Sequence, residues 1–310
     1  MLNPHTFSGE PKVFISYTLR DENVTIEKLQ ALKRQMPLNC DSFVDIIDND
    51  SDDRQARVDK ELWECDSFMQ VKSPTIGESN WALYEIMRAW TRMIPVNVID
   101  ANSIKIIKRM TRHKVFISYH HANDQWAKDR LVELNNQYDI FIDCSVDTGD
   151  IPDDWDDQKI RAEIRDNYLQ DSTVTILLVG TETRYRKHID WELYSSMFDG
   201  AINKKSGIVV IMLPSTGCTY NQASHANEKT EVFPQVNSWE KIKTRSEFER
   251  CFPCMPDRII DNLLAENANI SVANWNQLNI NQLKVLIDNA ARDRSSNQYN
   301  MSRPMKRRNS

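Results

Sequence analysis

Glycine is scarce in this chain. Seven occur in 310 residues, at positions 9, 77, 149, 180, 200, 207 and 217, and no two are close enough to build a phosphate-cradling loop. A P-loop and a dinucleotide fingerprint are therefore excluded, because both use clustered glycines to bring backbone N–H groups onto an anion. Long hydrophobic runs are missing as well. The longest, Val174 to Val179 and Ile208 to Leu213, fall far short of the ~20 apolar residues that span a bilayer. There is no surplus of positive charge: 39 Lys and Arg stand against 45 Asp and Glu, for a net charge of −6. That balance argues against an extended nucleic-acid surface. No basic segment followed by an apolar stretch opens the chain, so the expected location is cytoplasmic, with the six cysteines reduced.

Two motifs are present only in part. Cys251-Phe-Pro-Cys254 is a lone Cys-x-x-Cys with no second pair, which favours structural thiols over zinc or redox chemistry. Asp48, Asp50 and Asp52 imitate the start of a calcium loop, but Asp53 stands where that loop needs its sixth-position glycine. A hydrated acidic loop is expected there. No metal site and no resident cofactor are expected.

What is present is a repeat. Lys-Val-Phe-Ile-Ser-Tyr occurs at Lys12 to Tyr17 and again at Lys114 to Tyr119. Identical six-residue strings in one chain imply that a structural unit of about a hundred residues is used twice. A β-branched and aromatic run of this length reads as a short buried strand that opens each unit. In the first unit, strands at Lys12–Tyr17, Ser42–Ile47, Phe68–Val71 and Ile94–Ile99 alternate with helices near 24–36, 55–64 and 80–93. In the second, strands at Lys114–Tyr119, Ile140–Asp143, Thr173–Val179 and Gly207–Leu213 alternate with helices near 124–137, 158–169 and 190–198. Such alternation predicts an α/β fold of two doubly wound parallel-sheet domains in tandem. The expected boundaries are 1–108 and 109–290. Within the latter, 215–290 form a mixed helical elaboration with helices near 256–266 and 282–292, and 291–310 form a disordered basic tail.

Ligands of open α/β sheets bind beyond the carboxyl ends of the strands, so candidate site residues are sought there. Tyr17 and Tyr119 end the first strands, and His120 and His121 follow directly in the second unit. Asp143 ends that unit's second strand. Each unit then places a glutamate in the helix after its third strand: Glu85 in Trp81-Ala-Leu-Tyr-Glu85, and Glu192 in His188-Ile-Asp-Trp-Glu192. A helical glutamate is usually just solvated, but its recurrence at one place in a duplicated unit singles it out. Trp81, Tyr119 and Trp191 lie where an aromatic face could stack on a flat ligand.

A first strand ending Val-Phe-Ile-Ser-Tyr, an acidic loop after the second strand and a Trp-x-x-x-Glu helix resemble a TIR (Toll/interleukin-1 receptor) domain, with its flavodoxin-like sheet. The second unit resembles more closely the TIR-like, ThsB-type domain of the Thoeris antiphage system. The stretches that carry this are Lys114 to His121, Asp171 to Thr183 and Arg186 to Glu192. His188 stands where the family pattern carries Trp, with Trp191 next to the glutamate instead. The resemblance implies a bacterial immune enzyme that cleaves NAD+ as its substrate and makes an ADP-ribose-derived signal, linear or cyclic, for a separate effector protein. It implies that Glu192, and by the Trp pattern Glu85, is catalytic, with Glu192 favoured. Tyr119, His120, His121, Asp143, His188, Trp191, Tyr17 and Trp81 would line the substrate site. It further implies assembly of like chains through TIR contacts. Two other readings stay open: a non-catalytic TIR scaffold, and a nucleoside base or deoxyribosyl transferase on the same fold.

Overall fold

The computed structural model describes residues 11–106, 111–145, 155–169, 172–200, 203–239 and 241–309. The chain divides into two compact units, Met1–Arg109 and Met110–Ser310, and each is considered by itself.

In the first unit, strands β1 (Lys12–Ser16), β2 (Asp41–Phe43), β3 (Ser67–Lys72) and β4 (Val96–Asp100) form a sheet of order β2-β1-β3-β4, parallel throughout. Helices α1 (Ile26–Lys33), α2 (Asp45–Asp48), α3 (Arg54–Glu64) and α4 (Asn80–Thr91) connect them. Successive strand residues point to opposite faces. Ile15 accordingly packs with Leu29 and Leu32 of α1, while Phe14 packs with Val58 and Leu62 of α3 and with Phe68. The strand expected over 42–47 stops at Phe43, where α2 takes over. The Asp48 carboxylate ends the strand by accepting from the Val44 amide at 2.7 Å and from the buried Lys33 ammonium at 2.5 Å. Asp53 caps α3 by accepting from the Ala56 amide at 3.0 Å.

The second unit repeats this plan with five parallel strands: β5 (Lys114–Ser118), β6 (Ile142–Asp143), β7 (Val174–Val179), β8 (Gly207–Met212) and β9 (Ser271–Asn274), in the order β6-β5-β7-β8-β9. Every residue of β7 and β8 is buried, as a parallel sheet covered on both faces requires. Its helices are α5 (His121–Tyr138), α6 (Asp157–Glu163, continued as a π-turn over Ile164–Leu169), α7 (Lys187–Met197), α8 (Glu228–Glu231), α9 (Arg245–Cys251), α10 (Asp257–Ala265) and α11 (Ile280–Asp293). The region 215–290 is thus more than helical, since β9 extends the sheet. Cys251 is buried and Cys254 half-buried, both as free thiols.

The α11 helix lies tight against β8. A Cβ on Gly207 would collide with the backbone carbonyl of Ala290, which cannot swing aside like a side chain. Gly207→Ala is therefore expected to lower stability by about 2–3 kcal/mol, the scale of overpacking in a close-packed core. Urea unfolding checks this, with Gly77→Ala, which meets nothing, as the neutral comparison.

One expectation is overturned. The segment assigned to a disordered basic tail, 291–310, is ordered and packed from 291 to 309. Asn297 and Met305 are buried, the Tyr299 hydroxyl donates to the Ser206 carbonyl, and Arg303 pairs with Asp261. Arg303, Lys306 and Arg307 have partners within the fold, so composition alone misreads it.

Candidate functional site

Sheets of order 2-1-3-4 reverse direction between the first and third strands, and the crevice beyond their carboxyl ends is where this architecture binds ligands. The residues placed there are nearly the same in both units. Ser16 ends β1, and its hydroxyl donates to the Glu85 carboxylate of α4 at 2.6 Å. Ser118 ends β5 and donates to the Glu192 carboxylate of α7, also at 2.6 Å. Glu85 is 9% exposed and Glu192 4%. Burial drives both carboxyls up to about 7, against the opposing pull of the serine hydroxyl, and the charge of Asp45 adds to the rise at Glu85. Among the described residues, the serine is the only protein hydrogen-bond partner of either carboxylate. A buried carboxyl raised toward neutrality at a switch point is a candidate functional group.

In the first unit this carboxyl faces a cavity of about 490 Å³. Its walls are the loop after β1 (Tyr17, Thr18, Leu19, Arg20), Asp45 of α2, the start of α3 (Arg54, Gln55, Val58) and the start of α4 (Ser79, Trp81, Glu85). Ser79 caps α4 by accepting from the Ala82 amide. Tyr17 is held by the Ile46 amide, which donates to its hydroxyl at 3.0 Å, and burial raises its phenol to about 12, so it stays neutral. Trp81 is 62% exposed, with a ring face free to take a flat ligand. Arg20 donates to the Glu78 carbonyl at 3.0 Å, and Arg54 stands 3.9 Å from Asp45. A glutamate, two guanidiniums and an indole thus meet in one open pocket, a set suited to a ligand with phosphates and an aromatic ring.

In the second unit the candidates divide. Tyr119 stacks on His121 with ring centroids 4.5 Å apart and donates to Gln125 at 2.8 Å. His120 precedes α5, and burial, then the Arg186 guanidinium, push its imidazole down. His188 and Trp191 are ring neighbours at 4.9 Å. Trp191 does not present a face for stacking: it is fully buried among Phe116, Ile160, Ile164 and Met305, and its indole N–H donates to the Lys306 carbonyl at 2.7 Å. Asp143 lies on the edge strand β6, exposed, and accepts from the nearby Ser145 amide; no described contact brings it to Glu192.

Reasoning from sequence passed over three features. The serines that hold the glutamates lie inside the repeated string itself. Arg20 and Arg54 carry no pattern that marks them. In each unit an aspartate near the first helix also grips the loop after the third strand: Asp21 accepts from the Thr75 amide at 2.9 Å, and Asp124 accepts from Thr183 at 3.5 Å.

Ser16→Ala tests the serine's part. Loss of a donor to the charged form is expected to raise the Glu85 pKa further, by about one unit. The pH profile of any Glu85-dependent activity then moves alkaline. A lower rate with an unmoved profile would show that Ser16 acts on the ligand and not on the carboxyl.

Residues 116–217 match the family model of the Thoeris protein ThsB, TIR-like domain. The second unit carries a ThsB-type TIR-like domain. The match runs from β5 past β8. It does not extend to the first unit, which shares with the TIR-like domain its sheet order and its Ser–Glu pair. No curated protein matches the chain. Among the described residues no helix is long and apolar enough to cross a membrane, and no cluster of metal-ligating side chains occurs.

Proposed function

We propose that the protein cleaves the nicotinamide–ribose bond of NAD+ in antiphage defence, and that the open cavity at Glu85 is where the substrate is received. The observation that carries this is the Ser–Glu pair, built twice at the switch point and opening in the first unit onto a cavity with two arginines and an exposed indole. The chemistry asks little of the protein. The glycosidic C–N bond breaks with its electron pair going to the ring nitrogen, so the pyridinium leaves as neutral nicotinamide and needs no general acid. Positive charge develops on the ribosyl carbon, and an ionised Glu85 stabilises it in a site partly closed to water. Water then adds and releases one proton, giving ADP-ribose; capture by a nucleophile within the same molecule gives a cyclic product instead. In this reading Arg20 and Arg54 hold the pyrophosphate and Trp81 stacks on a ring. NAD+ is substrate here, and no resident cofactor takes part. The product serves as a signal for a separate effector.

A second reading, a TIR scaffold that pairs like chains, draws on α4, which leaves Trp81, Met87 and Trp90 exposed. One experiment separates the two. Purified protein is mixed with NAD+, alone and with lysate of phage-infected cells, and free nicotinamide is followed. The enzyme reading expects release in at least one condition. No release in either, with chains that associate in solution, favours the scaffold.

A further inference from the structure

The helix that carries Glu192 lacks a cap of its own. Arg186 stands at its N-cap position with no side-chain bond to the first turn, whereas α4 of the first unit is capped by Ser79. The missing acceptor comes from far along the chain: the Lys187 amide donates to the Asn309 side-chain oxygen at 3.0 Å. The same segment is fastened through each of residues 303–307 as well. The Trp191 indole donates to the Lys306 carbonyl, and the Lys306 amide donates to Asp190 at 2.9 Å. Arg258, fully buried in a two-pronged pair with Asp190, gives two further N–H groups to the carbonyls of Arg303 and Pro304. Arg307 donates to the Trp155 carbonyl just before α6, and Met305 packs on Ile160 and Ile164 of that helix. Residues 303–309 therefore run from the start of α7 to the start of α6. These are the counterparts of α4 and α3, whose starts flank the open cavity of the first unit.

We propose that residues 303–309 are a strap that closes the site around Glu192, and that displacing the strap opens it. This rests on reading Glu192 as the second copy of the reactive carboxylate. The strap is held through its backbone carbonyls and amide, by a pair of buried charges and an indole that exist without it, and through the side chains of Arg303, Met305, Lys306, Arg307 and Asn309. Its described hydrogen-bond partners lie on helices and loops, so it can leave without dismantling the sheet. The two units then differ in control: one site stands open, and the other is under a covering that belongs to the same chain.

The test uses a readout independent of turnover. The full chain, a chain ending at Ser302, and a full-length Met305→Glu/Asn309→Ala variant are treated with a water-soluble carbodiimide and glycine ethyl ester. Modification of each carboxyl is then read by peptide mass spectrometry. Glu85, on its open cavity, is the internal standard. Strap loss is expected to raise labelling of Glu192 by about tenfold or more, the scale of losing local protection, while Glu85 stays within about twofold. A synthetic peptide of residues 303–309 added to the shortened chain should restore protection. Glu192 labelling that stays unchanged in both variants overturns the strap. So does labelling that rises in step at Glu228 and every other buried carboxyl of the unit, which would mean general loosening. The same proteins in a Glu85→Gln background are assayed with NAD+. Nicotinamide release that appears on strap removal and vanishes with Glu192→Gln supports both the strap and NAD+ cleavage at Glu192. Labelling without release supports the strap and removes NAD+ cleavage from Glu192.

Discussion

Arg258→Met is expected to destabilise the second unit by about 3–5 kcal/mol, because it leaves the Asp190 carboxylate buried without its counter-charge. Arg258 is fully buried and Asp190 nearly so, joined by two hydrogen bonds of 2.9 and 3.0 Å. The guanidinium also satisfies two carbonyls of the strap, so its loss orphans acceptors as well as a charge. For a unit of this size the melting transition should fall by roughly 6–20 °C. The double variant Arg258→Met/Asp190→Leu should recover much of the loss, since replacing both members of a buried pair with apolar groups is often nearly neutral. Urea unfolding of the single and double variants checks both statements. A single-variant loss below about 1 kcal/mol, the value of a surface pair, would show that water reaches the pair.

The second large effect is a gain in stability from damaging the site. Burial raises the carboxyls of Glu85 and Glu192 from 4.5 to about 7. For an acid with a raised folded-state pKa, the folded protein holds its proton longer than the unfolded chain does. The stability this gives is fully present below about pH 4.5 and is lost as pH rises through about 7. At pH 8 each ionised glutamate therefore costs on the order of 3 kcal/mol. Glu192→Gln should raise the stability of the second unit by up to that amount at pH 8, and by little at pH 5. Activity should run the other way. If the carboxylate form stabilises the ribosyl cation, cleavage falls as pH drops below 7. Equal stabilisation by Glu192→Gln at pH 5 and pH 8 would contradict the raised pKa. Stability surrendered for a poised group is the usual trade at a working site.

Much of this was legible in the sequence, and the reasons are specific. The repeated Lys-Val-Phe-Ile-Ser-Tyr fixes the first strand of each unit, and the alternation behind it fixes a parallel sheet. Both glutamates could be found because a helix follows each third strand in both copies. The partner serines were in plain view within the repeat, but a strand-ending serine bears no mark until the sheet shows what it faces. β9 escaped notice because Ser271-Val-Ala-Asn274 is four residues long and shows no periodicity of its own. Trp191 was expected to stack on a substrate. Instead it lies on a helix that is buried on nearly all sides, a fact set by Met305 and Lys306 more than a hundred residues away. The strap itself reads as a solvated tail, because its composition is basic and the partners of its backbone and side chains lie far away in sequence, where no local pattern announces them.

The choice between the two glutamates turns on surroundings that only the fold supplies. Sequence resemblance favours Glu192, in the unit that matches the ThsB-type domain. The structure gives Glu85 the open cavity and lays residues 303–309 against the helix that carries Glu192. The most direct measurement is the rate of nicotinamide release from NAD+ by the full chain and its Glu85→Gln, Glu192→Gln and doubly substituted forms at pH 8. The expected result is a loss of about 100-fold or more on Glu85→Gln, the scale of removing one electrostatic stabiliser, with a far smaller change on Glu192→Gln while the strap is in place. Release that persists undiminished in the double variant would contradict the assignment of either carboxylate to the reaction.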